Sequence, residues 1–258
     1  MLIHRKVLLP VVIITSFLLI LGSCVSNPGQ KAKDSHEGDL HYQMGVTYLT
    51  KGNVEMALFE LNKAVRLKPR DAEVRFALGT VYLFKGEPER AIGEFKQVIQ
   101  LNPSHSDAYN NLGAAYVRIE KWDLAIEACQ AALDQIGYQT PEKALTIIGW
   151  SYYKKNDPVN SIDYLKRALE IKPDSPDTAN KISEVYISEG RLDKAQAILA
   201  DLVTRYPTYV GARLNLGITY YKMRDMIGAK KEFHAVLRLT DSKSDNAKLA
   251  RGYLDLLE

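Results

Sequence analysis

The chain has 258 residues, 46% of them hydrophobic and 25% charged, with 34 Lys and Arg against 31 Asp and Glu and two cysteines, Cys24 and Cys129. A charge so nearly balanced argues against the clustered basic surface with which nucleic-acid-binding proteins meet phosphates. Two cysteines exclude a disulfide framework.

In chain order, Arg5 and Lys6 come first and an apolar stretch from Val7 to Gly22 follows, broken only by Pro10, Thr15 and Ser16. This is the layout of a secretory signal. Its 16 residues fall short of the roughly 18 to 20 that span a bilayer as a helix, so a single-pass anchor is disfavoured. A cysteine at the end of such a stretch can be a small apolar residue and nothing more. Here, however, Leu21-Gly22-Ser23 precede Cys24, and the stretch resembles a bacterial lipobox. That resemblance implies a diacylglycerol on the Cys24 thiol, cleavage just before it (signal peptide 1–23) and acylation of the new amino group. Val25, where an aspartate would retain such a protein at the inner membrane, implies the periplasmic face of the outer membrane. The signal carries two of the three excess positive charges and no acid, so the mature chain is nearly neutral. With Cys24 acylated, Cys129 has no partner for a disulfide. From Val25 to Glu37 only Val25 and Ala32 are apolar, and residues 24–37 read as a lipidated cysteine and a flexible tether.

A repeat follows. Tyr48, Tyr82, Tyr116, Tyr152, Tyr186 and Tyr220 are spaced 34, 34, 36, 34 and 34 residues apart. Three residues before each lies a small one (Gly45, Gly79, Gly113, Gly149, Ser183, Gly217), and nine after it another (Ala57, Ala91, Ala125, Ser161, Ala195, Ala229). Pro69, Pro103, Pro173 and Pro207 close most units. Apolar residues recur at three and four within each unit, which predicts two amphipathic helices packed through their small residues, with the tyrosine filling the wedge. Asn53 is placed to cap a second helix, and Pro88 and Pro158 to occupy a first turn.

The pattern resembles the tetratricopeptide repeat (TPR) over nearly all of the mature chain. The expected fold is therefore all-α: a right-handed α-solenoid of six helix pairs (38–71, 72–105, 106–141, 142–175, 176–209 and 210–243) with a continuous core. Residues 244–258 are expected to form a capping helix that buries Leu249, Tyr253, Leu256 and Leu257 and turns Lys248, Arg251, Asp255 and Glu258 to water. The third unit is two residues longer, through "LDQIGYQTPEKA". This is either a tolerated longer turn or a change of superhelical pitch.

Enzyme signatures are missing: His41, His105 and His234 are scattered, and neither a His-Glu-x-x-His nor a phosphate-binding Gly-Lys loop is present. No enzymatic activity, metal or cofactor is expected. Cys129 replaces the Leu or Phe of the other units and reads as core. Glu55, Glu60, Glu89 and Glu94 read as solvated surface.

The resemblance implies that the first helix of each pair lines a concave groove. Carried over position by position, the partner-facing set is Tyr42, Phe76, Phe84, Asn110, Arg118, Trp150, Tyr153 and Tyr221, with Val46, Leu49, Leu83 and Ile187 given to packing. Aromatic anchors suit a protein or peptide partner. Tyr42, Val46, Phe76 and Thr80 stand where a carboxylate clamp would need Lys and Asn, so an apolar or extended segment is the expected ligand. The lipobox, the length and the longer third junction together resemble the type IV pilus biogenesis lipoproteins of the PilF/PilW type, the pilotins. That resemblance implies binding and localising the outer-membrane secretin. An envelope adaptor that regulates peptidoglycan enzymes, or a scaffold in outer-membrane protein assembly, stands as the alternative.

Overall fold

The structure, a computed structural model, describes residues 28–257. The signal, Cys24 and Val25 lie outside the described residues. Every regular element described is a helix. The six pairs are α1 (Pro28–Thr50) and α2 (Val54–Leu67), α3 (Ala72–Lys85) and α4 (Pro88–Leu101), α5 (Ser106–Arg118) and α6 (Trp122–Leu133), α7 (Pro141–Lys154) and α8 (Pro158–Ile171), α9 (Pro176–Ser188) and α10 (Leu192–Arg205), and α11 (Val210–Lys222) and α12 (Met226–Leu239). A last helix, α13 (Asp245–Asp255), packs on α11 and α12.

Small residues set the spacing within each pair. A Cβ on Gly149 would stand 2.7 Å from Leu165 Cγ, and one on Gly217 would stand 2.7 Å from the Phe233 ring. Both are closer than packed carbons come, so glycine is what lets the paired helices touch. Leu61, Phe95, Cys129, Leu165, Leu199 and Phe233 fill the facing position and are fully buried. Burial pushes the Cys129 thiol up to about 12, which makes it an inert core residue.

Each pair turns through one residue in the left-handed region: Gly52, Gly86, Glu120, Asn156, Gly190 and Arg224, with φ between 58° and 77°. The next N–H then donates to the carbonyl of the repeat's tyrosine at 2.9 Å in all six units. This is the 6→1 closure that stops a helix. Caps follow the sequence: Asn53 accepts from the Met56 N–H at 3.1 Å, and Pro88 and Pro158 occupy first turns.

First helices of successive units touch (α1 with α3, α3 with α5, and so on to α11), whereas no two second helices do. The odd-numbered helices therefore form the concave wall, and the even ones fan out behind. The core runs as four adjoining clusters, with Ile147 packed against both the N-terminal cluster and the small one around Cys129, Ala132, Ala144 and Ile148. At this third junction α6 stops early, at Leu133, and Gly137 turns the chain with φ 80° before α7 begins.

Three expectations need correction. Residues 28–37, expected to be a flexible tether, form the first turns of α1. Asp39 binds Lys68 at 2.5 Å and anchors that helix downstream, and extending a formed helix through Gln30-Lys31-Ala32-Lys33 needs no new nucleus. In α13 and the turn that follows it the inward face is Ala247, Ala250, Tyr253, Leu254 and Leu257, while Leu249 and Leu256 are 47% and 69% exposed. The small alanines allow the close approach, and the 3.6-residue period turns the two leucines out. Glu60 and Glu94 are not free surface: Glu60 is buried against His41 at 2.5 Å, and Glu94 pairs with Arg75 at 2.7 Å. Arg213 and Glu232 repeat that cross-helix pair at 2.6 Å in the sixth unit.

Candidate functional site

The concave wall changes character along its length. At the N-terminal end it is apolar and largely used for packing. Tyr42 is half-buried, and burial raises its hydroxyl pKa. Phe76 lies between Phe95 and His105, with ring centroids 5.8 and 4.7 Å away. Val46, Leu49, Leu83 and Val117 pack on the same cluster. Phe84, in the last turn of α3, is 70% exposed, and Arg118, in the last turn of α5, is also exposed.

The centre is polar. Asn110 on α5 is 6% exposed and lines a cavity of about 300 Å³ between α5, α7 and α9. Thr146, Ile147, Ser175 and Thr178 share that cavity, with Glu142, Lys143, Lys172 and Asp177 at its rim. The Thr146 and Thr178 hydroxyls meet at 3.0 Å across the boundary between the fourth and fifth units.

One helical turn beyond Thr146, on the same face of α7, the rings of Trp150 and Tyr153 lie 5.1 Å apart. The Lys154 ammonium sits 4.7 Å from the Trp150 ring and 5.6 Å from that of Tyr153. Lys181, from the next unit, reaches to 5.4 Å of Trp150 while bound to Asp177 at 2.6 Å. Such cations favour aromatic faces and hold the indole between two units.

Further along, the Asn180 and Asn215 side-chain amides donate to Glu184 Oε1 at 2.9 and 3.1 Å, and Asn215 also donates to Asn180 Oδ1 at 3.0 Å. Desolvation raises the Glu184 carboxyl above its ordinary value. At the C-terminal end, Tyr221 meets Tyr253 edge-on at 5.2 Å, and Tyr253 stacks on Phe233 at 5.0 Å. Tyr221 thus docks the capping helix.

Of the residues proposed from sequence, the structure joins Trp150 with Tyr153. It puts Asn110 on the central cavity and gives Tyr42, Phe76 and Tyr221 packing roles beside whatever they offer the groove. Thr146, Thr178, Lys181 and Asn215 were missed. Lys181 and Asn215 reach the wall because neighbouring first helices touch, α7 with α9 and α9 with α11. Among the described residues no group of three or more His, Cys, Asp or Glu is arranged to hold a metal, and no helix is long and apolar enough to cross a membrane.

Sequence models of the tetratricopeptide repeat match residues 38–71, 76–139 and 152–208. No curated protein matches the sequence. Among solved structures, pilF of Pseudomonas aeruginosa superposes with a TM-score of 0.69 at 18% identity, over 86% of this chain and 99% of that one. PilW, a widely conserved type IV pilus biogenesis factor, gives 0.74 at 18% identity, over 82% and 96%. YrrB, a TPR protein with an unusual peptide-binding site, gives 0.53 at 22% identity, over 76% and 97%.

Proposed function

The chain belongs to the tetratricopeptide-repeat family, and on that footing we propose that it is a protein-binding scaffold whose concave wall captures an extended segment of the outer-membrane secretin during type IV pilus biogenesis. The observation that carries the binding role is the cluster of Trp150, Tyr153, Lys154 and Lys181 beside an open polar cavity. A rigid aromatic pair flanked by donors is the kind of anchor that dominates binding energy. The likeness in fold to pilF and PilW along nearly their whole chains supports the pilus reading. In this reading Cys24 carries the acyl anchor, at the periplasmic face of the outer membrane, and several acyl chains hold the scaffold there.

The test is capture of a purified secretin periplasmic domain by the immobilised chain. Trp150→Ala with Phe84→Ala is expected to weaken capture at least tenfold, as loss of two aromatic anchors does, with helicity unchanged by circular dichroism. Undiminished capture overturns the choice of face. Unchanged secretin multimers in outer membranes after deletion of the gene overturn the pilus role, and favour an adaptor for peptidoglycan enzymes or outer-membrane protein assembly.

A further inference from the structure

The turn into α11 is built on the same frame as the turn into α3. In the second unit Arg75 donates from Nε to the Pro69 carbonyl and from Nη1 to Glu94 Oε2, both at 2.7 Å. In the sixth unit Arg213 donates in the same way to the Pro207 carbonyl and to Glu232 Oε2, both at 2.6 Å. Leu101 and Leu239 stand at matching places beside the two frames. Three residues around the frame differ: Gly93, Gln97 and Gln100 of the second unit are Lys231, Ala235 and Arg238 in the sixth. The two glutamines bond each other at 3.1 Å. Their counterparts, with Pro207, Arg213, Lys231 and Leu239, line a cavity of about 320 Å³ where the turn before α11 meets α12.

The positive charge of this cavity is unspent. Among the described residues the Lys231 and Arg238 side chains form no ion pair and no hydrogen bond. Glu232, the single carboxylate of α12, is buried and committed to Arg213, so Lys231 and Arg238 leave two positive charges uncompensated. The repeat does not require cations there, since the same two places hold Glu127 and Asp134 in the third unit and Asp163 and Glu170 in the fourth. Arg213 is oriented by bonds that use two of its five N–H groups, which leaves Nη2 to donate. A guanidinium fixed in this way suits the planar recognition of a carboxylate or a phosphate. The two extra charges decide between them: a phosphomonoester loses its second proton near pH 6 and is then a dianion, whereas a carboxylate or a phosphodiester leaves one cation unmatched. Pro207, Ala235 and Leu239 give the ester's organic group an apolar side to lie on.

We propose that the cavity between the turn before α11 and α12 is a phosphomonoester site, in which Arg213, Lys231 and Arg238 together hold the phosphoryl oxygens. A lipid headgroup and a soluble phosphate offer that same chemistry. The site stands apart from the concave wall and does not rest on the partner reading.

The test titrates methyl phosphate into the ¹⁵N-labelled chain at pH 7 and constant ionic strength. Saturable shifts are expected at the Nε–H groups of Arg213 and Arg238 and at the Lys231 backbone amide. Dimethyl phosphate, with one charge, is expected to bind about tenfold more weakly, the worth of one charge-assisted hydrogen bond. Lys231→Gln with Arg238→Gln should weaken methyl phosphate at least tenfold, by the same measure, while melting with the parent, because both side chains are exposed and unpaired. Gly93→Lys with Gln97→Ala and Gln100→Arg should give the second unit a site of its own, read as new shifts at Arg75 Nε–H; a Cβ on Gly93 meets no atom within 4 Å. Dihexanoyl phosphatidic acid that binds more tightly than inorganic phosphate supports the site as one for lipid headgroups, and equal affinity supports it as one for soluble phosphates. No shift from methyl phosphate, equal binding of the two esters, or unchanged affinity in the double glutamine variant would overturn the site. So would a second-unit variant that melts with the parent yet binds no phosphate. Shifts from an acetylated triglutamate peptide but not from methyl phosphate would overturn it in favour of an acidic polypeptide.

Discussion

Replacing Glu120 or Arg224 by glycine is expected to stabilise the array, and the six repeated turns supply the controls. All six turn residues lie at positive φ: three are glycine, while Glu120, Asn156 and Arg224 carry side chains at 58°, 62° and 64°. An L-residue in that region costs roughly 1–2 kcal/mol, and glycine gives back roughly 0.5–1 kcal/mol through the freer unfolded chain. The net gain is about 0.5–1 kcal/mol for each of Glu120→Gly and Arg224→Gly, and less for Asn156→Gly because asparagine visits this region readily. Gly52, Gly86 and Gly190 test the converse, since a Cβ there would have no atom within 4 Å. Their replacement by alanine is a pure backbone perturbation, expected to cost about 1 kcal/mol. Urea unfolding reads both series at constant m, and each kcal/mol should move Tm by about 2–4 °C in a chain of this size. If Gly86→Ala is neutral while Glu120→Gly destabilises, the turn is not held by φ, and the 2.9 Å closure onto the tyrosine carbonyl is not what ends the first helices.

Glu184 gives a pH test. Desolvation raises its carboxyl above the ordinary 4.5, so the folded protein holds that proton more tightly than the unfolded chain does. Stability therefore falls as pH rises from 4.5 through the raised value. Glu184→Gln should match the parent below that window and exceed it at pH 7; equal stability at pH 7 would remove desolvation as the dominant effect. Cys129, pushed up to about 12, is thiolate in only about one molecule in ten thousand at pH 8. In a chain carrying Cys24→Ser, iodoacetamide labelling should wait for unfolding and accelerate with urea, and rapid labelling in native buffer would contradict its burial.

The fold was legible because the residues that set it are framework residues with one job each. A glycine that admits Leu165 or Phe233, and the tyrosine whose carbonyl closes each turn, recur at fixed spacing whatever the rest of the unit does. Legibility failed where spacing carried no such constraint. The first turns of α1 have a polar composition suited equally to a tether or to a helix extended from a docked end. The face of α13 was misread because large leucines were given weight over Ala247 and Ala250, although it is the small residues that bring a helix close. Glu60 and Glu94 were misread because a carboxylate's partner lies 19 residues earlier, on the facing helix, where helical spacing along one strand of sequence cannot show it.

The candidate site divides on the same line. Trp150 and Tyr153, three residues apart on one helix, meet because α-helical geometry brings i and i+3 together, and sequence alone places them. The cation between units and the polar centre depend on contacts from one first helix to the next, so Lys181 reaches Trp150 and Asn215 reaches Glu184 from positions that no single-unit pattern marks. The expectation of an apolar or extended ligand came from Tyr42, Val46, Phe76 and Thr80, which stand where a carboxylate clamp would need Lys and Asn. Packing alters the apolar part of that expectation, because Tyr42, Phe76 and Tyr221 spend their rings on neighbouring helices. A wall with its aromatic surface partly consumed in this way offers a partner less apolar area than a count of its side chains suggests.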